Sequence, residues 1–123
     1  MSMIQPTTLA LVQAALDAGT LRQMAHANNI ANAGTPGYRP LAVSFEERLD
    51  AVRDAIAGGS SAALSASDIP PATLFTDLSA SAPPSLDAEV AQASENALHY
   101  QALTHALGQQ YALLDLAMSN GAK

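Results

Sequence analysis

Apolar and small residues recur at alternating steps of three and four along both ends of the chain, and the middle breaks that rhythm. Near the amino terminus, Leu11, Ala14, Ala18, Leu21 and Ala25 form one stripe that Asn28 and Asn32 continue. Leu9, Val12, Leu16, Gly19 and Ile30 form a second beside it, broken by Gln23. This spacing predicts a helix from about Thr7 to Ala33, starting just after Pro6. Asp17 and Arg22 are its only charges, so it is expected to be covered on more than one side. At the other end, Val90, Ala93, Ala97, Tyr100, Thr104, Leu107, Tyr111, Leu114 and Met118 keep the same spacing without a break. They predict a helix from about Leu86 to Ser119, roughly 50 Å long at 1.5 Å per residue, which must extend beyond any compact globule of this size. Leu98, Leu103, Ala106, Leu113 and Ala117 add apolar surface, and the Glu/Lys flanks of an isolated two-stranded coiled coil are missing. Several helices are expected around this one.

Between these ends the pattern changes twice. Residues 34–43 read as extended and turn-like, with Pro36-Gly37 suited to the centre of a type II turn and Tyr38 as a packing anchor. A short amphipathic helix is predicted from about Phe45 to Ala57. Phe45, Leu49, Val52 and Ile56 lie on one face, Ser44 and Glu47 are placed as a capping box, and Gly58-Gly59 ends it. Its charged residues, Glu46, Glu47, Arg48, Asp50, Arg53 and Asp54, read as a solvated face. From Ser60 to Ser85, Ser, Ala and Pro dominate, with Pro70-Pro71 and Pro83-Pro84, so an irregular linker is expected in which Leu74-Phe75 and Leu78 dock locally at most. The fold class is therefore all-α: long N- and C-terminal helices paired antiparallel as a coiled-coil-like hairpin, with a short middle helix and an irregular segment. The parts are 1–33, 34–59, 60–85 and 86–123, in one structural unit.

The segment Asn28-Asn29-Ile30-Ala31-Asn32-Ala33-Gly34-Thr35-Pro36-Gly37-Tyr38 calls for its own account, because asparagine competes with the helix backbone for hydrogen bonds. One reading has Asn32 or Gly34 supply a left-handed residue that ends the helix, with Pro36 preventing continuation. The other has Asn28 and Asn32, four residues apart on one face, bond a neighbouring helix and fix its register.

The same residues resemble the N-terminal signature of the bacterial flagellar rod, hook and hook-associated family. Pro84-Ser85-Leu86-Asp87 followed by Asn96-Ala97-Leu98-His99-Tyr100-Gln101 is most similar to the proximal rod members of that family. The resemblance covers about residues 7–57 and 84–121, and this chain departs from it in the short stretch from Ala88 to Glu95. It implies a structural subunit of the basal-body rod. Such a subunit is exported through the flagellar type III system without a cleaved signal, sits in the periplasmic space, and polymerises through its terminal helices to form a drive shaft for motility. It implies an assembly motif at Asn28, Asn29, Ile30, Asn32, Thr35, Pro36, Gly37 and Tyr38. The C-terminal seam falls on Val90, Ala97, Tyr100, Leu107, Tyr111, Leu114 and Met118. The implied partners are copies of itself, other rod and axial proteins, and the base of the export apparatus.

Composition narrows the alternatives. Leu, Ile, Val and Phe make up about a fifth of the 123 residues, and much of the 49% hydrophobic content is alanine, which favours helix while burying little area. Partners are expected to complete its buried surface. The net charge of −6, with basic residues scattered at Arg22, Arg39, Arg48, Arg53 and Lys123, offers no phosphate-binding cluster, so no nucleic acid is expected. There is no cysteine, no apolar run long enough to insert in a membrane, and no secretory signal pattern at the start. His26, His99 and His105 lack the spacing of paired metal ligands, and neither a nucleophile elbow nor a phosphate loop occurs. No enzyme activity, metal or cofactor is expected. The alternatives are another small flagellar rod subunit, or a soluble helical adaptor or chaperone dimer.

Overall fold

The computed structural model describes residues 6–57 and 68–121. Helix α1 spans Pro6–Ala31, strand β1 Leu41–Ser44, helix α2 Glu46–Ala57, strand β2 Thr73–Thr76 and helix α3 Leu86–Gly121. The described residues are mostly helical, and the two long helices pack together as the spacing predicts. They run in opposite directions. His26 meets Glu89, Gln23 meets Asn96, and Gly19 lies against Tyr100 and Asn96, so position rises along one helix as it falls along the other.

The first correction concerns the strands. β1 and β2 pair antiparallel, with Leu41 opposite Thr76 and Ser44 opposite Thr73, so the chain is not purely all-α and part of the expected linker is ordered. The bond from Asp77 N–H to the Pro40 carbonyl fixes the phase of the ladder. Pro40, Ala42 and Ser44 turn their backbone groups toward β2, and Leu41 and Val43 turn theirs toward α1. The alternation that marks strands needs more than four residues to stand out, and these two strands meet across a long sequence separation. Residues 60–67, also assigned to the linker, lie outside the described residues.

Element ends differ for local reasons. α1 stops at Ala31 and leaves through tight turns, with Ala33 N–H donating to the Ile30 carbonyl and Thr35 N–H to Asn32. Among the described residues Gly37 alone has positive φ, so neither Asn32 nor Gly34 supplies a left-handed cap. At the start of α2 the first helical carbonyl is that of Phe45, which accepts from Leu49 N–H. The Ser44 hydroxyl accordingly donates to the Glu47 carboxylate at 3.3 Å, a contact between side chains in place of the expected capping box. Phe45 is buried, as predicted; the expectations for Val52 and Ile56 fall on side chains outside the described set.

The core is small. Ala18, Ala25, Phe45 and Ile69 are its buried apolar residues, joined by two buried amides, Asn29 and Asn96. On α1 the exposed positions from Gln13 onward follow one stripe through Asp17, Thr20, Met24, Asn28 and Ala31. The rest of the helix is at least half-covered by α3 and the sheet. Arginines tie the outer pieces down: Arg22 pairs with Glu46 of α2, Arg48 donates to the Pro71 carbonyl at 3.2 Å, and Arg39 donates to the Leu78 carbonyl at 2.9 Å. The charged face of α2 is thus partly structural.

Candidate assembly site

The Asn-rich segment meets β1 and α3 at one end of the helix pair. Ala25 is buried one turn before Asn29, and Asn29 continues the covered stripe in place of Asn28. Its side chain is 1% exposed. The amide Nδ2 donates to the Leu41 carbonyl at 3.0 Å, and Oδ1 accepts from Leu41 N–H at 2.8 Å and from the Tyr38 hydroxyl at 2.9 Å. A primary amide offers a donor and an acceptor side by side, so it pairs with a peptide group as a neighbouring strand would. Asn29 therefore caps the outer edge of β1 with a side chain.

The turn delivers Tyr38 to that amide. Tyr38 N–H donates to the Thr35 carbonyl at 3.2 Å and Gly37 has φ 75°, the third position of the type II turn that Pro36-Gly37 predicts. Asn28 and Asn32 act locally. Asn28 Nδ2 donates to the Met24 carbonyl at 3.1 Å and Asn32 Nδ2 to the Asn28 carbonyl at 2.9 Å, both within their own helix, and Thr35 Oγ1 donates to Asn32 Oδ1 at 3.2 Å. Asn28 is exposed and Ile30 half-buried. Within this chain neither Asn28 nor Asn32 reaches another helix.

Across the helix pair, polar groups take positions that hydropathy assigns to apolar ones. His26 Nδ1 lies 2.7 Å from Glu89 Oε2, a largely covered pair. One turn and more further along, Asn96 Nδ2 donates to the Gly19 carbonyl at 2.9 Å and to Gln23 Oε1 at 2.8 Å. Burial and the Glu89 carboxylate together push the Tyr38 phenol above its ordinary value of 10.0. The side of α3 turned to α1 thus runs through Glu89, Ala93, Asn96, Leu103, Leu107 and Gln110. Of the predicted seam, Leu107 is half-buried, while Val90, Ala97, Tyr100, Tyr111, Leu114 and Met118 are exposed, Met118 by 67%. Residues 111–121 of α3 are exposed throughout.

Sequence reasoning missed Asn29 as the working amide, and it missed the His26–Glu89 and Asn96–Gly19 contacts, whose partners lie far apart in the chain. One signal was available: Asn29 falls four residues after Ala25 on the apolar stripe. The junction encloses an open cleft of about 470 Å³ bordered by Arg22, His26, Asn29, Glu89, Glu95 and His99. Its imidazole and guanidinium are already paired with Glu89 and Glu46, which leaves no activated nucleophile. Among the described residues no group of three His, Cys, Asp or Glu side chains could hold a metal, and no helix is long and apolar enough to cross a membrane. The arrangement sets the geometry of a strand and two helices. No family model, curated protein or solved structure matches this chain.

Proposed function

We propose that this chain is a structural subunit of the bacterial flagellar proximal rod, polymerising through its long helices to build the shaft that carries motor torque. The observation that carries this reading is the apolar surface α3 leaves open after pairing with α1: Val90, Tyr100, Tyr111, Leu114 and Met118 share the predicted seam and face away from α1. Contiguous apolar surface of this kind marks an interaction site. The coiled-coil-like hairpin of α1 and α3 then serves as one unit of a larger helix array, with contacts repeated in one sense to give an open helical assembly. The resemblance of Asn28–Tyr38 to the rod and hook signature supports the same reading. The partners are further copies, the neighbouring axial proteins and the base of the export apparatus, and the place is the periplasmic space, reached by flagellar type III export.

Electron cryomicroscopy of purified basal bodies tests it. Density for this chain in the proximal rod is the expected result, together with loss of the rod and of swimming when the gene is deleted. Intact basal bodies and normal swimming in the deletion strain would overturn it.

A further inference from the structure

The small sheet has two edges, and only one of them is closed. Leu41 of β1 turns its N–H and C=O outward, and both are taken by the Asn29 side chain. The phase of the ladder turns the backbone groups of Leu74 and Thr76 outward from β2 in the same way. No described residue meets them, and Leu74, Phe75 and Thr76 are all exposed. The devices that blunt a free edge, a charge or a proline within the strand, are missing from Thr73–Thr76. A two-stranded sheet is marginal alone and gains most from further strands.

We propose that the β2 edge pairs with the β2 edge of a second copy of this chain, antiparallel about a two-fold axis at Phe75, joining the two sheets into one of four strands. Three observations fix the occupant. Asn29 already occupies β1 at Leu41, so a head-to-tail β1-to-β2 contact between copies is blocked, and the open edge meets its own equivalent. The sequence Thr73-Leu74-Phe75-Thr76 reads nearly the same in both directions, with hydroxyls outside and apolar residues inside. The outward groups fix the register: Leu74 pairs with Thr76 of the second copy, each exchanging both N–H···O bonds, and Phe75 faces Phe75 across a wide pair. In that register Asp77 lies opposite Thr73 of the second copy, so the nearest carboxylates do not face each other. An isologous contact closes at two, whereas a polar array holds no such axis, so this pairing belongs to the free subunit and not to the rod. It does not rest on the rod reading.

The full chain has no cysteine, so Phe75→Cys reports the contact directly. Facing residues of a wide antiparallel pair have Cα atoms about 4.5 Å apart, within disulfide reach. Mild oxidation is expected to give a disulfide dimer with Phe75→Cys, and no faster than random collision with Leu98→Cys on the exposed face of α3. Thr76→Pro removes an N–H that points away from β1, so the intramolecular sheet survives while each copy loses a donor to the other. The wild-type chain is expected to sediment as a dimer, and Thr76→Pro to weaken dimerisation at least about tenfold with unchanged helical circular dichroism. A monomeric wild type, a dimer indifferent to Thr76→Pro, or equal crosslinking at Phe75→Cys and Leu98→Cys would each overturn the proposal. If Thr76→Pro fails to fold, the crosslinking comparison decides. A dimer in solution with no incorporation into basal bodies would fail the rod reading alone.

Discussion

Removing the Asn29 side chain strands three polar groups at once: the N–H and C=O of Leu41 and the hydroxyl of Tyr38. A buried group left without its partner costs roughly 1–3 kcal/mol, and water reaches the half-buried members in part, so Asn29→Ala is expected to cost about 2–3 kcal/mol in urea unfolding. Asn28→Ala should change stability by less than about 0.5 kcal/mol, because that exposed amide bonds only its own helix and alanine is the better helix former. Equal losses at the two positions would contradict the roles assigned here. The Tyr38 hydroxyl adds a pH test. Its pKa lies above 10.0 in the folded chain, so folding holds the phenol proton more tightly than the unfolded chain does. That contribution is complete below pH 10 and is lost as pH rises through the folded value, once Tyr38 no longer donates to Asn29. Tyr38→Phe, which never had the bond, should be less stable at neutral pH and lack this alkaline step in a melting series from pH 8 to 11.

At the level of elements, the two long helices were legible because their apolar periods run for many turns, and no local feature competes with them. The face each presents was less so. Hydropathy places Val90 and Ala97 inward, yet the pair closes on Glu89 and Asn96, whose polar atoms find His26, the Gly19 carbonyl and Gln23. A carboxylate or amide is favourable in such a place only when its partner is there, and partners more than sixty residues away leave no trace in a local pattern. The sheet was missed for a related reason: strands of four residues carry little period, and β1 owes its outer partner to a helix side chain. The type II turn was legible because Pro36 and Gly37 are specified by backbone geometry alone, and at φ 75° Gly37→Val should cost at least about 1–2 kcal/mol. Asn96 gives a sharper test of the helix pair. Asn96→Asp is nearly the same size but turns a donor into a carboxylate facing the Gly19 carbonyl and Gln23 Oε1, and is expected to destabilise the chain by more than Asn96→Ala. A milder effect for aspartate would mean that Asn96 only fills space.

For the whole molecule the question is which apolar residues fold the chain and which wait for a neighbour, and α3 separates the two along its length. At 36 residues it is about 54 Å long, against about 39 Å for the 26 residues of α1. The contacts of His26 with Glu89 and Gly19 with Tyr100, continued at the same pitch, bring Pro6 opposite the region of Gln110 to Leu113. Leu107 lies inside the paired stretch and is half-buried; Leu114 lies past it and is 38% exposed. Leu107→Asp therefore places a carboxylate against α1 with no cation to meet it, and is expected to lower the stability of the isolated chain by several kcal/mol. Leu114→Asp should leave isolated stability within about 0.5 kcal/mol of wild type, as a substitution on open surface does. If the overhang is where copies or axial neighbours seat, the same Leu114→Asp abolishes incorporation into basal bodies and swimming, because assembly would bury the new charge unpaired. Asp54→Ala, on the exposed side of α2, is the silent control in both assays. Urea unfolding of purified protein and swimming of complemented null cells at matched protein levels read the two effects separately. Wild-type swimming with Leu114→Asp would remove the overhang from the assembly surface, and a loss of isolated stability as large as that of Leu107→Asp would make it part of the fold instead.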